Sequence, residues 1–146
     1  GDKQTMVKLF IFEGSDSHAM YRHPEANVKE EFFIECITID EFLKGQSVDA
    51  IKMDIEGNEP YALEGMKKTI AKSDDLILFS ELAPAYLRRA GVKPEDYTAQ
   101  LENLGFDVQL IDEDSSCIKS IPKALLAEAE NNPSWHANLY CVKKKH

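Results

Sequence analysis

The feature of this sequence that most restricts its fold is one continuous run, residues 48–66. It opens with a mostly apolar stretch, turns at Gly57, and passes without a gap into a segment with helical spacing from about Glu59. A buried strand that leads through a tight turn into a helix is the repeating unit of parallel α/β sheets. The sequence therefore predicts a doubly wound α/β fold, in which ligands bind beyond the carboxyl ends of the strands.

Three carboxylates, Asp54, Glu56 and Glu59, follow the predicted strand. We expect them at the ligand-binding edge of the sheet, where a carboxylate can take a proton from a hydroxyl or hold hydroxyls by hydrogen bonds. Clustered carboxylates also raise one another's pKa, which helps a base to work near neutral pH. The alternative is structural: Asp54 caps the turn, while Glu56 and Glu59 stabilise the positive N-terminus of the helix.

The residues Ile-Lys-Met-Asp-Ile-Glu-Gly-Asn-Glu at 51–59, followed by Ala-Leu-Glu-Gly-Met at 62–66, closely resemble the central motif of the FkbM family of S-adenosylmethionine-dependent methyltransferases. The resemblance extends from about Gly1 to Phe106, and more loosely to the end. It implies a Rossmann-like class I methyltransferase fold and transfer of a methyl group to a hydroxyl of a small-molecule acceptor, such as a sugar or natural product. It also favours the catalytic interpretation of Asp54, Glu56 and Glu59.

The sequence departs from class I methyltransferases in one respect. These enzymes begin with a strand, a glycine-rich turn and a helix that cradle the methionine part of the cofactor. An acidic residue at the end of the next strand holds the ribose. Neither is found here, and from the resemblance we expect the chain to start just after the third strand of the family. We therefore expect residues 1–146 to form a single domain, the second half of the sheet plus an N-terminal β-hairpin, that by itself binds S-adenosylmethionine weakly or not at all.

An unpaired sheet edge is a further expectation from this departure. The apolar strand near residue 50 requires a neighbour on each side, and an uncovered edge pairs readily with another chain. We therefore expect either a truncated domain or a homodimer that covers the edge. The alternative function is a non-catalytic half-fold that mediates oligomerisation or partner binding. A glycosidase-like hydrolase with Asp54 and Glu56 or Glu59 as acid and base is a third, weaker interpretation.

Three further residues are candidates for contact with the substrate. Glu81 ends a second apolar strand, at about 76–81, and is expected in the same crevice. Lys52 lies within the strand predicted to be buried, where it pairs with one of the acids or extends to the sheet edge. His18 lies with His23 in a polar loop, where most histidines are solvated. His136, just before the last predicted strand, is expected to pack or to lie at the surface.

The remaining periodicities complete the expected order of elements. The first two predicted strands are expected to form an antiparallel pair, and the resemblance to class I methyltransferases implies that the last two form an antiparallel hairpin. Strands are predicted at 6–12, 32–38, 50–55, 76–81, 106–111 and 137–142, helices at 39–43, 59–72, 84–90, 94–104 and 122–131, and loops at 13–27 and 112–120.

Composition restricts the partners. A formal net charge of −9 argues against binding to nucleic acid, because phosphate backbones require clustered Lys and Arg. No apolar run approaches the ~20 residues of a membrane span. The three cysteines, Cys36, Cys117 and Cys141, are widely spaced, which favours reduced thiols in a cytoplasmic compartment. No spacing of acids or histidines requires a metal ion.

Overall fold

The computed structural model of the chain describes residues 1–13, 18–20, 27–130, 132 and 134–144. Within them the protein has an α/β fold, as predicted, and its strands form two separate sheets. The strands are β1 (Thr5–Phe12), β2 (His18–Ala19), β3 (Val28–Cys36), β4 (Ala50–Met53), β5 (Ile77–Leu82), β6 (Phe106–Asp112), β7 (Cys117–Ser120) and β8 (Ala137–Lys143). The helices are α1 (Ile39–Leu43), α2 (Glu59–Glu64), α3 (Lys67–Lys72), α4 (Pro84–Arg89), α5 (Pro94–Asn103) and α6 (Lys123–Glu130).

The N-terminal sheet has the order β2-β1-β3 and is antiparallel. This confirms the predicted pairing of the first two long strands, although β3 begins at Val28, four residues before the predicted start. The prediction missed β2 because it is only two residues long and pairs with β1 from within a polar loop. At the end of β3, Thr38 caps α1: its hydroxyl accepts a hydrogen bond from the Glu41 N–H at 3.0 Å.

The second sheet has five strands in the order β4-β5-β8-β6-β7. Strands β4 and β5 are parallel, whereas β8 is antiparallel to both β5 and β6. The predicted hairpin of the last two long strands is thus confirmed. The prediction of a loop over 112–120 was wrong, because Cys117–Ser120 pairs with the end of β6 as the edge strand β7. All four residues of β7 are exposed, so hydrophobic periodicity gave no signal for it.

The two faces of the larger sheet differ in burial. Met53, Leu78 and Leu139 point to the face that packs in the hydrophobic core. On the opposite face Lys52 is exposed, and Phe79 keeps 37% of its surface in solvent. The prediction that β4 is a buried strand was therefore wrong. Strand β4 pairs only with β5 among the described residues, and a strand that is covered on one face alternates in burial instead of being apolar throughout.

The single helix predicted over 59–72 is two helices, α2 and α3, that are separated at Gly65 and Met66. The reason lies in α1, where the Asp40 carboxylate accepts hydrogen bonds from the backbone N–H groups of Lys68 and Thr69 at 3.1 and 2.8 Å. These N–H groups belong to the first turn of α3, where they have no partner within the helix. A side chain distant in sequence thus stabilises a second helix start.

Across the described part of the chain, the structure contains no helix that is both long enough and apolar enough to span a membrane.

Candidate active site

The candidate site lies where the parallel strands β4 and β5 end. Both carboxyl ends meet at one edge of the sheet, since Met53 is in register with Ser80. The structure therefore brings Asp54, Glu56 and Glu59, which follow β4, close to Glu81 near the end of β5. The charges of all three act on Glu81 and raise its pKa. The grouping of these four acids follows the prediction, and their catalytic or substrate-binding roles stay predictions.

The turn between β4 and α2 has a left-handed backbone at two successive residues, Glu56 with φ +59° and Gly57 with φ +91°. Gly57 is buried, and a Cβ atom placed on it would lie 2.5 Å from the carbonyl oxygen of Tyr86. Glycine is required here by both its positive φ and the close approach of α4. The turn therefore holds Asp54 and Glu56 in a fixed position above the end of β4.

Glu59 is the most buried of the acids, with 2% of its surface exposed. Its carboxylate accepts a hydrogen bond from the backbone N–H of Ile55 at 2.8 Å, which closes the turn from the helix side. Burial raises the pKa of Glu59, and the negative charge of Asp54 adds to the effect. The hydrogen bond between Ile55 and the Glu59 carboxylate therefore stabilises the turn between β4 and α2.

Lys52 is placed differently from the prediction. Its side chain is 59% exposed, because it projects from the uncovered face of β4, and it forms an ion pair with Asp54 at 2.9 Å. The predicted pairing with one of the acids is confirmed, while the predicted burial was wrong. An exposed pair of this kind contributes little to stability, so its main effect is to compensate part of the negative charge of the site.

Glu81 is half-buried on β5, and its pKa is raised to about 7, first by burial and then by the charges of Asp54, Glu56 and Glu59. A positive charge on His136 acts in the opposite direction. The neighbouring Ser80 points into the core and shares a hydrogen bond of 2.6 Å with the hydroxyl of Tyr97. This buried contact ties β5 to α5, so the strand that carries Glu81 is held firmly in place.

His136 is the site residue that sequence reasoning missed. It immediately precedes β8, whose first residue Ala137 pairs with Leu82 at the end of β5. Because β8 is antiparallel to β5, its start lies at the carboxyl end of β5, next to Glu81. The prediction expected only a packed or surface histidine, and its ring is indeed exposed. The signal that could have found it is the placement of β8 beside β5, which requires knowledge of the pairing.

The structure places His18 in the N-terminal sheet. It lies in β2, opposite Ile11 of the N-terminal sheet, and its side chain is outside the part that the structure describes, as is the whole of His23. Contact between His18 and a substrate stays a prediction. Among the described residues, no three His, Cys, Asp or Glu side chains are grouped so that they could hold a metal ion.

The raised pKa of Glu81 makes stability depend on pH. The folded protein keeps this carboxyl protonated up to about pH 7, whereas the unfolded chain ionises it near 4.5. The contribution of the protonated Glu81 carboxyl to the stability of the fold is thus fully present below pH 4.5 and is lost as the pH rises to 7. We allow for solvent screening because the group is half-exposed. The difference in the free energy of unfolding, Glu81→Gln minus parent, should then be about 1–2 kcal/mol larger at pH 8 than at pH 4.5.

Urea unfolding of both proteins at several pH values measures this effect. Glu102→Gln, at an exposed position of α5, is the matched control and should give parallel curves for mutant and parent. A difference between Glu81→Gln and the parent that does not change with pH would contradict the shift.

The fold and the site together define an α/β protein with an acidic cluster at the carboxyl ends of two parallel strands. A family model described as the methyltransferase FkbM domain matches residues 3–108, and thus includes all four acids. The match covers more than half of the 146 residues, so the chain belongs to the FkbM methyltransferase family, as its motif predicted. Neither the curated proteins nor the solved structures gave a significant match.

Proposed function

We propose that this chain forms the acceptor side of an S-adenosylmethionine-dependent O-methyltransferase, which methylates a hydroxyl of a small molecule. Membership of a methyltransferase family supports the reaction class. The observation that carries the acceptor chemistry is the position of Glu81, a half-buried carboxyl among three other acids. The pKa of Glu81 is raised to about 7. A general base works best when its pKa lies near the working pH.

The arrangement of the larger sheet supports the Rossmann-like fold in this proposal. Strands β4 and β5 are parallel and carry the acids, and the last two long strands, β6 and β8, form an antiparallel pair. Class I methyltransferase sheets close with such a hairpin, so we assign this sheet to the second half of that fold.

Each acid has its own part in the proposed chemistry. Glu81 accepts the proton of the acceptor hydroxyl, since its neutral and charged forms are both populated near pH 7. Asp54 and Glu56 are exposed or half-exposed and hold other hydroxyls of the acceptor by hydrogen bonds. Glu59 acts as a positioning residue, because its carboxylate is occupied by the Ile55 N–H. The ammonium group of Lys52 donates one hydrogen bond to Asp54, and its remaining N–H groups contact the acceptor.

The two strand ends of the site do not fit S-adenosylmethionine. The glycine of the turn after β4 is Gly57, and its free side is filled by the backbone of Tyr86 at 2.5–2.6 Å from a Cβ position. This turn therefore cannot bring its backbone up to a ligand, as a cofactor-cradling turn must. The second strand end, after Leu82, continues into Pro84 of α4 without a glycine.

We accordingly expect calorimetry to detect no micromolar binding of S-adenosylmethionine to residues 1–146. Micromolar binding would show that the cofactor site lies within these residues and that the assignment of the cluster to the acceptor side is wrong.

Methyl transfer tests the function itself. The complete gene product that carries these residues is incubated with S-adenosylmethionine labelled in the methyl group and a panel of hydroxylated small molecules. We expect the label in an ether linkage on one of them. Label found on nitrogen or carbon only would contradict O-methylation.

The three cysteines of the chain are free, and the proposed enzyme works in the cytoplasm.

The unpaired edge of the larger sheet, formed by β4, favours a second candidate function, the assembly of two copies of the chain. Strand β4 pairs with β5 alone among the described residues, and the uncovered face beside it includes Phe79, packed against Tyr140 with 5.5 Å between ring centroids. An edge with exposed backbone groups is a template for pairing with another chain. We propose a homodimer through β4, which light scattering detects as a doubled mass. A monomer at all accessible concentrations would contradict it.

A further inference from the structure

A cavity of about 320 Å³ opens at the end of β6, outside the four-acid cluster. Its walls come from the turn between β6 and β7, from α6 and from the segment before β8. The volume is within the range of small-molecule sites, ~300–1,000 Å³. Nothing in the acid–base chemistry proposed above uses this space.

The cavity lies beside the candidate active site, on the other side of β8. Asn138 is in register with Glu81 on one side and with Ile111, a cavity residue, on the other. Neighbouring strands are about 4.8 Å apart, which places the cavity wall roughly 10 Å from Glu81. His136 lines the cavity and also acts electrostatically on Glu81. A ligand that is bound in the cavity and extends about 10 Å across β8 therefore reaches Glu81.

One wall of the cavity is aromatic. Trp135 is half-buried, packs against the hydrophobic core and lines the cavity. A tryptophan face binds the apolar side of a ring and also attracts a cation, for which it is the best of the aromatic side chains. Because the side chain is anchored in the core, its ring is positioned before a ligand arrives, which lowers the entropic cost of binding.

Part of the cavity lining is acidic. It includes Asp112, Glu113 and Asp114 together with one lysine, Lys119, which pairs with Asp112 at 2.6 Å. Glu113 accepts a hydrogen bond from the Asn138 amide at 3.0 Å, so its position is fixed. The cavity thus keeps an excess of negative charge. A cleft lined by one sign of charge concentrates ligands of the opposite sign.

We propose that this cavity is the acceptor subsite and that it binds a hydroxylated ring bearing a protonated amine, the chemical class of an amino sugar. The ring lies against Trp135, the amine faces the carboxylates of the turn between β6 and β7, and a hydroxyl points towards Glu81. The term acceptor subsite rests on the proposed function, whereas the ligand class rests on the cavity alone.

The protein carries its own reporter for this site, since Trp135 is its one tryptophan. Glucosamine and glucose, which differ in the amine, are titrated at pH 7 while tryptophan fluorescence is recorded. We expect a saturable change with glucosamine, at about 10-fold lower concentration than with glucose, from the added cation–π and charge attraction. Raising the salt to about 0.5 M should reduce this preference to a few-fold.

Two variants locate the binding. Asp114→Asn removes one charge of the acidic lining at an exposed turn residue and keeps the reporter, so it should weaken glucosamine about 3-fold and leave glucose unchanged. Asp74→Asn, exposed before β5 at the opposite end of the sheet, is the matched control and should bind like the parent. Trp135→Ala, followed by ligand-observed NMR, should bind neither sugar.

The outcomes separate this inference from the proposed function. No saturable change with either sugar, or equal affinity for both, would overturn the ligand class. Binding of glucosamine without methyl transfer to any hydroxyl would overturn the proposed function and leave the cavity assignment intact. Methyl transfer to neutral acceptors that leave the fluorescence of Trp135 unchanged would overturn the cavity as the acceptor subsite.

Discussion

Replacing Glu81 by glutamine is expected to lower kcat for methyl transfer by about 10²–10⁴-fold, the usual contribution of a general base. Glutamine keeps the size and hydrogen-bonding reach of the side chain but cannot accept the hydroxyl proton. In the parent protein kcat/KM should rise with pH through about 7, because burial and the neighbouring acids raise the pKa of Glu81 to that value. The variant should lose this rise.

The measurement compares initial rates of labelled methyl transfer by the complete gene product between about pH 5 and pH 9, the range in which a base of this pKa changes its protonation state. Glu102→Gln is again the control, since Glu102 is exposed on α5 and should leave rate and profile unchanged. If Glu81→Gln retained the full rate, or if the rise near pH 7 persisted in it, another group would be the base.

Replacing Gly57 by alanine is expected to be the most destabilising change at the site. The positive φ of Gly57 costs an alanine about 1–2 kcal/mol. Its Cβ would also lie 2.5 Å from the carbonyl oxygen and 2.6 Å from the carbonyl carbon of Tyr86. Because these are backbone atoms, α4 must shift as a unit, and we expect a total loss of about 3–4 kcal/mol in the free energy of unfolding.

Gly91→Ala separates the two causes of this loss. Gly91 also has a positive φ, +78°, but no atom lies within 4 Å of its Cβ position. This variant should lose only about 1–2 kcal/mol, the conformational part. Urea unfolding of both variants gives the difference, which measures the contact between the turn and α4. Equal losses for the two glycines would show that this contact carries no energy.

The predictability of the fold varied with the range of the interactions involved. Segments set by local signals were predicted closely: α5 begins at Pro94 and α1 spans Ile39–Leu43, both as expected. The helix over 59–72 was predicted as one because its apolar spacing continues through Gly65. Its division follows from Asp40, a residue more than 25 positions away, which binds the first turn of α3.

The candidate site divides in the same way. Asp54, Glu56 and Glu59 could be placed from sequence because they follow one strand and its turn directly. Glu81 could be added because parallel strands end at the same edge. Lys52 was misplaced, since the sequence does not reveal that one face of β4 is left uncovered. Trp135 and His136 were not recognised, because the position of the segment before β8 depends on β8 lying between β5 and β6.

The sequence by itself determined the strand, turn and helix that carry the acids, the glycine at their centre and the methyltransferase family, because these depend on residues close together along the chain. Only the tertiary structure decided which face of the sheet is open, how deeply Glu59 and Glu81 are buried and which cavity lies beside them. Burial and electrostatic shifts are produced by segments that are far apart in sequence, and their pairing is fixed by the packing of the whole sheet.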